Sequence, residues 1–396
     1  MPRIVLLLTS MALALLLASG VALALPSERP DNTRMVKGTV RAIEQVGTNI
    51  WLGGKFTQVK QRNGTVVANV SNVAVFDSQT NQYVKIAPKL GGRDSEVWDM
   101  TLYGDDVLIA GKFPGPSSKN NNLLLVDGET GKVLKWFDSS PLKSVLAAPD
   151  LGRVYGGGVS LSAFEFATGK KRPLWTRAKT TVDESLYPKV PSPGYRDLER
   201  DGSSIWAACA CDAVDGNPAK SLVKLSTEGV HEASWRAAAD PPSWGMSLVN
   251  ANGALYLGVG GSDLLASFSK AGGNPTWVRD TSGAVQVVEV MEDKLVIGGH
   301  FWEVGDQAAG QPEDYCTFGR SKPELDPNDE CQTRKGIAAY SFDGRLEPNW
   351  APEYAGSYSL VWALHVEGAR LHTGGEFLTV DGVNQTSYAR LSPSPS

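Results

Sequence analysis

Short apolar runs separated by polar turns fill this chain, and past its first residues no stretch keeps a helical period. Residues 360–391, LVWALHVEGARLHTGGEFLTVDGVNQTSYARL, display the unit most plainly. They read as strand, tight turn, strand, a Gly-Gly pair, a Phe, a polar loop and a third strand. Weaker copies recur along the chain. A small pair, or a lone Gly258, closes a short strand at Gly53-Gly54, Ala110-Gly111, Gly156-Gly157, Ala207-Ala208, Gly258, Gly298-Gly299 and Gly374-Gly375. The spacing is roughly 40–57 residues, stretched to about 76 before the last copy.

Upstream of each anchor lies an apolar strand such as VRAI, VWDM, VQVV or VWAL. Downstream come a Phe (Phe56, Phe113, Phe301, Phe377), a third strand, and a turn rich in Gly, Asp and Thr. A fourth strand follows, usually ending in Trp: Trp136, Trp175, Trp235, Trp277, Trp350. Four antiparallel strands at hairpin spacing, repeated, predict a β-propeller. Seven anchors predict seven blades, with six or eight as the alternatives because copies three and four are weak. Small residues let neighbouring sheets approach the axis, and aromatics fill the wedge between them. The last copy stops at its third strand, so the segment 32–37 is expected to supply the missing strand and close the ring.

GGKFTQV at 53–59, GGEFLTVDGV at 374–383 and YSFDGRLEPNWAP at 340–352 make the chain resemble the delta-60 repeat β-propeller family. The match is good in copies one, six and seven, and poor in three to five. It covers nearly the whole chain, but its motifs are structural. The resemblance implies fold and export. The family carries no defined catalytic residues, so none is carried over.

Residues 1–24 hold one Arg, an apolar run and Ala22-Leu23-Ala24, which read as a secretory signal peptide. An uncleaved anchor is the alternative, and the membrane would be touched only through it. Residues 25–396 form one expected domain. A net charge of −5 without a basic cluster argues against nucleic acid. An exported chain points its cysteines toward disulfides: Cys316–Cys331, closing a loop worth on the order of 3 kcal/mol, and the tighter Cys209/Cys211 pair. Zinc is the other reading of the Cys-x-Cys pair, without the usual spacing or a nearby His.

No cofactor or metal is expected. The run Asp127-Gly-Glu-Thr-Gly-Lys resembles the tryptophan-docking repeats of quinone-dependent dehydrogenases, but Asp and Gly here suit a hairpin turn. His365 and His372 should face each other across a two-residue turn, an incomplete metal set without a carboxylate or Cys. No nucleophile elbow or phosphate loop occurs.

The binding candidates come from register. Two residues ahead of the Met100 or Leu364 position of the first strand stand Arg41, Trp98, Ser144, Met246, Gln286 and Trp362, with Tyr195 in copy four. In a propeller this end of the innermost strand rims the central mouth, and varied residues rich in aromatics suit a pocket. The predicted ligand-binding set is Arg41, Trp98, Asp99, Tyr195, Arg196, Trp244 and Trp362. The competing reading is packing between blades. The insertion at 302–336 should overhang one rim. These features predict an exported, monomeric, non-catalytic propeller that binds a protein or glycan. The alternative is a glycan hydrolase or lyase using carboxylates at the mouth, among Glu44, Asp99, Asp197 and Glu289.

Overall fold

Alternation of inward and outward side chains along these runs produces antiparallel sheets. A computed structural model describes residues 25–92, 94–117, 121–171, 179–181, 193–237, 244–305, 331–356 and 360–393. The signal-peptide reading of 1–24 lies outside them, as do Cys316 and Trp175. The chain is all-β apart from a single 3-10 turn at Pro149–Leu151, among the described residues. None of its described helices is long and apolar enough to cross a membrane.

Seven sheets repeat one plan, with strands laid side by side in chain order. Their inner strands are Met35–Val46, Glu96–Tyr103, Ser144–Ala148, Gly194–Asp201, Trp244–Ala251, Val285–Met291 and Leu360–Glu367. Each pairs with a second strand carrying the small pair: Asn49–Lys60, Asp106–Lys112, Arg153–Gly157, Ser204–Ala210, Ala254–Gly260, Lys294–Gly299 and Arg370–Glu376. The inner strands touch in cyclic order, each meeting the next and the last, Leu360–Glu367, meeting the first. This is a propeller-like succession.

Small residues are required where sheets meet. A Cβ on Gly53 would lie 2.5 Å from Met100 and Val97 of the next sheet, and one on Gly298 2.6 Å from Val361. A Cβ on Gly374 would collide with Val40, which joins the last sheet to the first. The four predicted wedge residues Phe56, Phe113, Phe301 and Phe377 are all buried.

Two expectations are corrected. The second, fourth and fifth sheets have four strands and the first has five, Val66–Asn69 branching off its second strand, but the third, sixth and seventh show three among the described residues. Isolated bridges, Phe164↔Lys171 and Tyr340↔Leu346, stand where the outer strands of the third and sixth would run. Second, Met35–Lys37 does not close the seventh sheet. Buried Met35 and Val36 extend the first inner strand, paired with Lys60 and Val59. The last sheet is instead touched by the segment before it, through the bridge Pro30↔Leu391 and the bonds Ser27 N to Ser392 O (3.0 Å) and Asp31 N to Arg390 O (2.8 Å). The Cys-x-Cys pair is the disulfide that the sequence predicts rather than a zinc site, Cys209–Cys211, with Cα atoms 5.4 Å apart. Cys331 is also disulfide-bonded.

The insertion leaves the sixth sheet between its second and third strands. It starts and ends as a short ribbon, Glu303–Gly305 against Cys331–Thr333. Its base follows the Gly298-Gly299 end of the second strand, on the same rim as the start of the inner strand. Residues 306–330 lie outside the described set.

Candidate functional site

A repeated irregularity organises the site. Opposite the small pair, six of the inner strands carry one extra residue: Val40 pairs Gly54 and Ala42 pairs Gly53, leaving Arg41 between them. The same bulge releases Trp98, Arg196, Met246, Gln286 and Trp362. Bulges re-aim side chains and recur beside functional sites. All six residues line one cavity of about 1110 Å³ at the centre of the ring. The third inner strand has no bulge, since Ser144 and Val145 face Gly157 and Gly156 directly. Lys143, just ahead of it, takes that place on the wall.

Of the predicted ligand set, Arg41, Trp98, Asp99, Arg196, Trp244 and Trp362 share the cavity. Tyr195 does not. It pairs with Cys209, is fully buried, and packs in a core cluster with Tyr155, Leu198 and Val214. The bulge residue of that sheet is Arg196, one position on. Lys143, Gln286 and Glu199 also line the cavity and were absent from the predicted set.

The mouth is basic and aromatic. The Arg41 guanidinium lies 4.3 Å from the Trp362 ring centroid and is ion-paired to Glu96. Burial, reinforced by Arg41, brings Arg196 down to about 10, and burial beside Arg196 brings Lys143 down to about 8. Two polar atoms on this wall, Trp362 Nε1 and Gln286 Oε1, find no hydrogen-bond partner among the described residues.

Below the mouth the wall turns acidic. Asp99 accepts from its neighbour Met100 N (2.8 Å) and from Val145 N of the next sheet (2.7 Å). Asp197 accepts from Leu198 N, Ser247 Oγ and Leu248 N, the last at 2.8 Å. Ser247 Oγ in turn accepts from Val288 N (3.1 Å). These side chains knit adjacent inner strands together. Glu44, Glu199 and Glu289 line the next level, with Thr101, Val249 and His365. Burial, then mutual repulsion, drives the carboxyls up: Glu44, Asp99 and Glu199 to about 8, Glu289 to about 7. Asp197 is also raised, chiefly by burial.

No family model matches the chain, and no curated protein sequence matches it. Solved structures do. Raptor from Chaetomium thermophilum superposes with a TM-score of 0.55 at 9% identity, over 93% of this chain and 29% of that one. The computationally designed Ika8 protein gives 0.51 at 11% identity, over 92% of this chain and 99% of that one. BamB from Moraxella catarrhalis gives 0.46 at 12% identity, over 91% and 98%. At such identities the first two speak for the fold alone.

The histidine pair is in register, His365 opposite His372, with ring centroids 6.1 Å apart. His372 is buried between Tyr388 Oη (2.8 Å) and Glu367 Oε2 (3.1 Å), a carboxylate that reading of the two histidines alone passed over. His365 meets Gln45 at 3.3 Å, and burial beside His372 lowers it to about 4. No group of three or more potential metal ligands occurs among the described residues. Asp127 accepts from Glu129 N, Thr130 N and Thr130 Oγ1, which makes its motif the hairpin turn that the sequence predicts.

Proposed function

We propose that this chain is exported as a seven-bladed β-propeller and binds a glycan or protein outside the cell at the mouth of its central cavity. One observation carries the reading: bulges in six separate strands deliver Arg41, Trp98, Arg196, Met246, Gln286 and Trp362 to a single wall. A bulge bends its strand as well as re-aiming a side chain, and the re-aimed side chains here converge on one cavity, as a ligand wall requires. The cyclic contacts of the inner strands support seven blades, and the leader-like residues 1–24 support export. Binding is non-catalytic in this reading, because Asp99, Asp197 and Glu289 spend oxygens on backbone amides.

The test is an unbiased screen of residues 25–396 against immobilised glycans, cell-wall fractions and surface proteins. A saturable ligand competing for the mouth is expected. No binding in any class would remove the proposal.

A second reading, a glycan hydrolase, draws on the gathering of Glu44, Asp99, Asp197 and Glu289 in one cavity with raised pKa values, as acid catalysts require. Turnover of a bound glycan that Glu44→Gln abolishes would favour it over binding alone.

A further inference from the structure

Resting on the reading of the mouth as a binding site, we infer that its ligand is an acidic glycan: sugar rings against Trp98 and Trp362, their carboxylates toward Arg41, Lys143 and Arg196. Three features converge. The cations come from three different sheets yet line one cavity, where burial first, and a neighbouring cation second, lowers both Lys143 and Arg196. Planar indole faces flank them on the second and seventh sheets, suited to the apolar face of a pyranose. Trp362 Nε1 lacks an acceptor and Gln286 Oε1 lacks a donor among the described residues. A sugar hydroxyl, which donates and accepts, serves both. A cavity of about 1110 Å³ admits more than one ring, being at the upper end of small-molecule pockets.

Charges that oppose the idea have other partners or another depth. Glu96 and Arg41 offset one another, Asp263 accepts from Gly261 N, and Asp99 and Asp197 bind backbone amides. Glu44, Glu199 and Glu289 sit below the cations, so they keep an anionic ligand at the mouth rather than deep in the channel. A peptide with an acidic side chain shares the charge and meets both atoms with its backbone C=O and N–H, but it has no pyranose face to set against the indoles, and the hexaglutamate probe tests it.

The decisive experiment titrates residues 25–396 with three probes: an α-1,4-linked galacturonate tetramer, its fully methyl-esterified form, and a hexaglutamate peptide. The acid form should bind roughly tenfold or more tightly than the ester, as expected for losing a charge-assisted hydrogen bond. Raising salt should narrow that gap. Lys143→Gln should narrow it too, and Arg41→Gln provides a second variant should the first fold poorly. Equal binding of acid and ester would overturn the charge assignment while leaving glycan binding intact. Binding of hexaglutamate alone would overturn the glycan assignment while leaving the mouth a binding site. Failure of all three probes would overturn the inference, and the unbiased screen decides the broader reading separately.

Discussion

Buried carboxyls on the channel wall are the residues with the clearest consequences. Their folded pKa values lie above the unfolded ones, so the folded chain holds protons that the unfolded chain has already released. The stability they give is complete below about pH 4.5 and is lost as pH rises through about 8 for Glu44 and Glu199. Glu44→Gln and Glu199→Gln are therefore expected to raise the melting temperature at pH 9 and to leave it nearly unchanged at pH 5. A thermal melt series across that range reads the difference. His365 acts in the opposite sense. Lowered to about 4, its contribution holds above about pH 6.5 and is lost as pH falls toward 4. Asp197 has a different job: Asp197→Ala strands the Leu248 amide and Ser247, so a loss of about 1–3 kcal/mol in denaturant unfolding is expected. Single residues were also where the sequence misled. Tyr195 and Arg196 are adjacent, both plausible at a mouth, and nothing in their identities says which one occupies the bulge. Counting from Leu198, as from Met100 or Leu364 in other copies, selects Arg196. Lys143 escaped because its copy lacks the bulge.

At the scale of elements, the repeat was legible because it rests on steric necessity. Gly53, Gly298 and Gly374 stand where a Cβ would strike the next sheet, and so the pairs recur at blade spacing. Gly53→Val should cost about 1–3 kcal/mol by overpacking against Val97 and Met100, measured by urea unfolding. The bulge was not legible, since one extra residue opposite a glycine pair leaves no mark in composition. It has a sharp consequence. Deleting Trp98 restores a regular ladder between Val97 and Asp99, and should remove the ring from the mouth while keeping the fold. A folded deletion variant with unweakened ligand binding would contradict the role assigned to that bulge. The outer strand was over-read in the sixth sheet, where a turn and a Trp suggested a full strand but only the isolated bridge Tyr340↔Leu346 forms; that of the third runs into residues 172–178, outside the described set.

Across the whole molecule, the ends meet, though through a different segment from the one the sequence suggested. Asp31 and Arg390 form a buried ion pair to which Ser392 also bonds, at 2.6 Å. Trp350 Nε1 donates to Pro26 O at 2.8 Å, and Ala351 N to Glu28 Oε1 at 2.6 Å. Removing one partner of a buried pair is costly, so Asp31→Ala should destabilise by roughly 3–5 kcal/mol, more than any exposed carboxylate does. The cyclic contacts of the inner strands hold them around one cavity, and the cavity gathers residues more than 300 positions apart, Arg41 beside Trp362. The most direct test is the affinity of the screened ligand for a Trp98→Ala/Trp362→Ala variant that melts like the parent chain. A loss of about tenfold or more is expected when both stacking faces are gone. Undiminished affinity in that folded variant would contradict the mouth as the place where this protein binds.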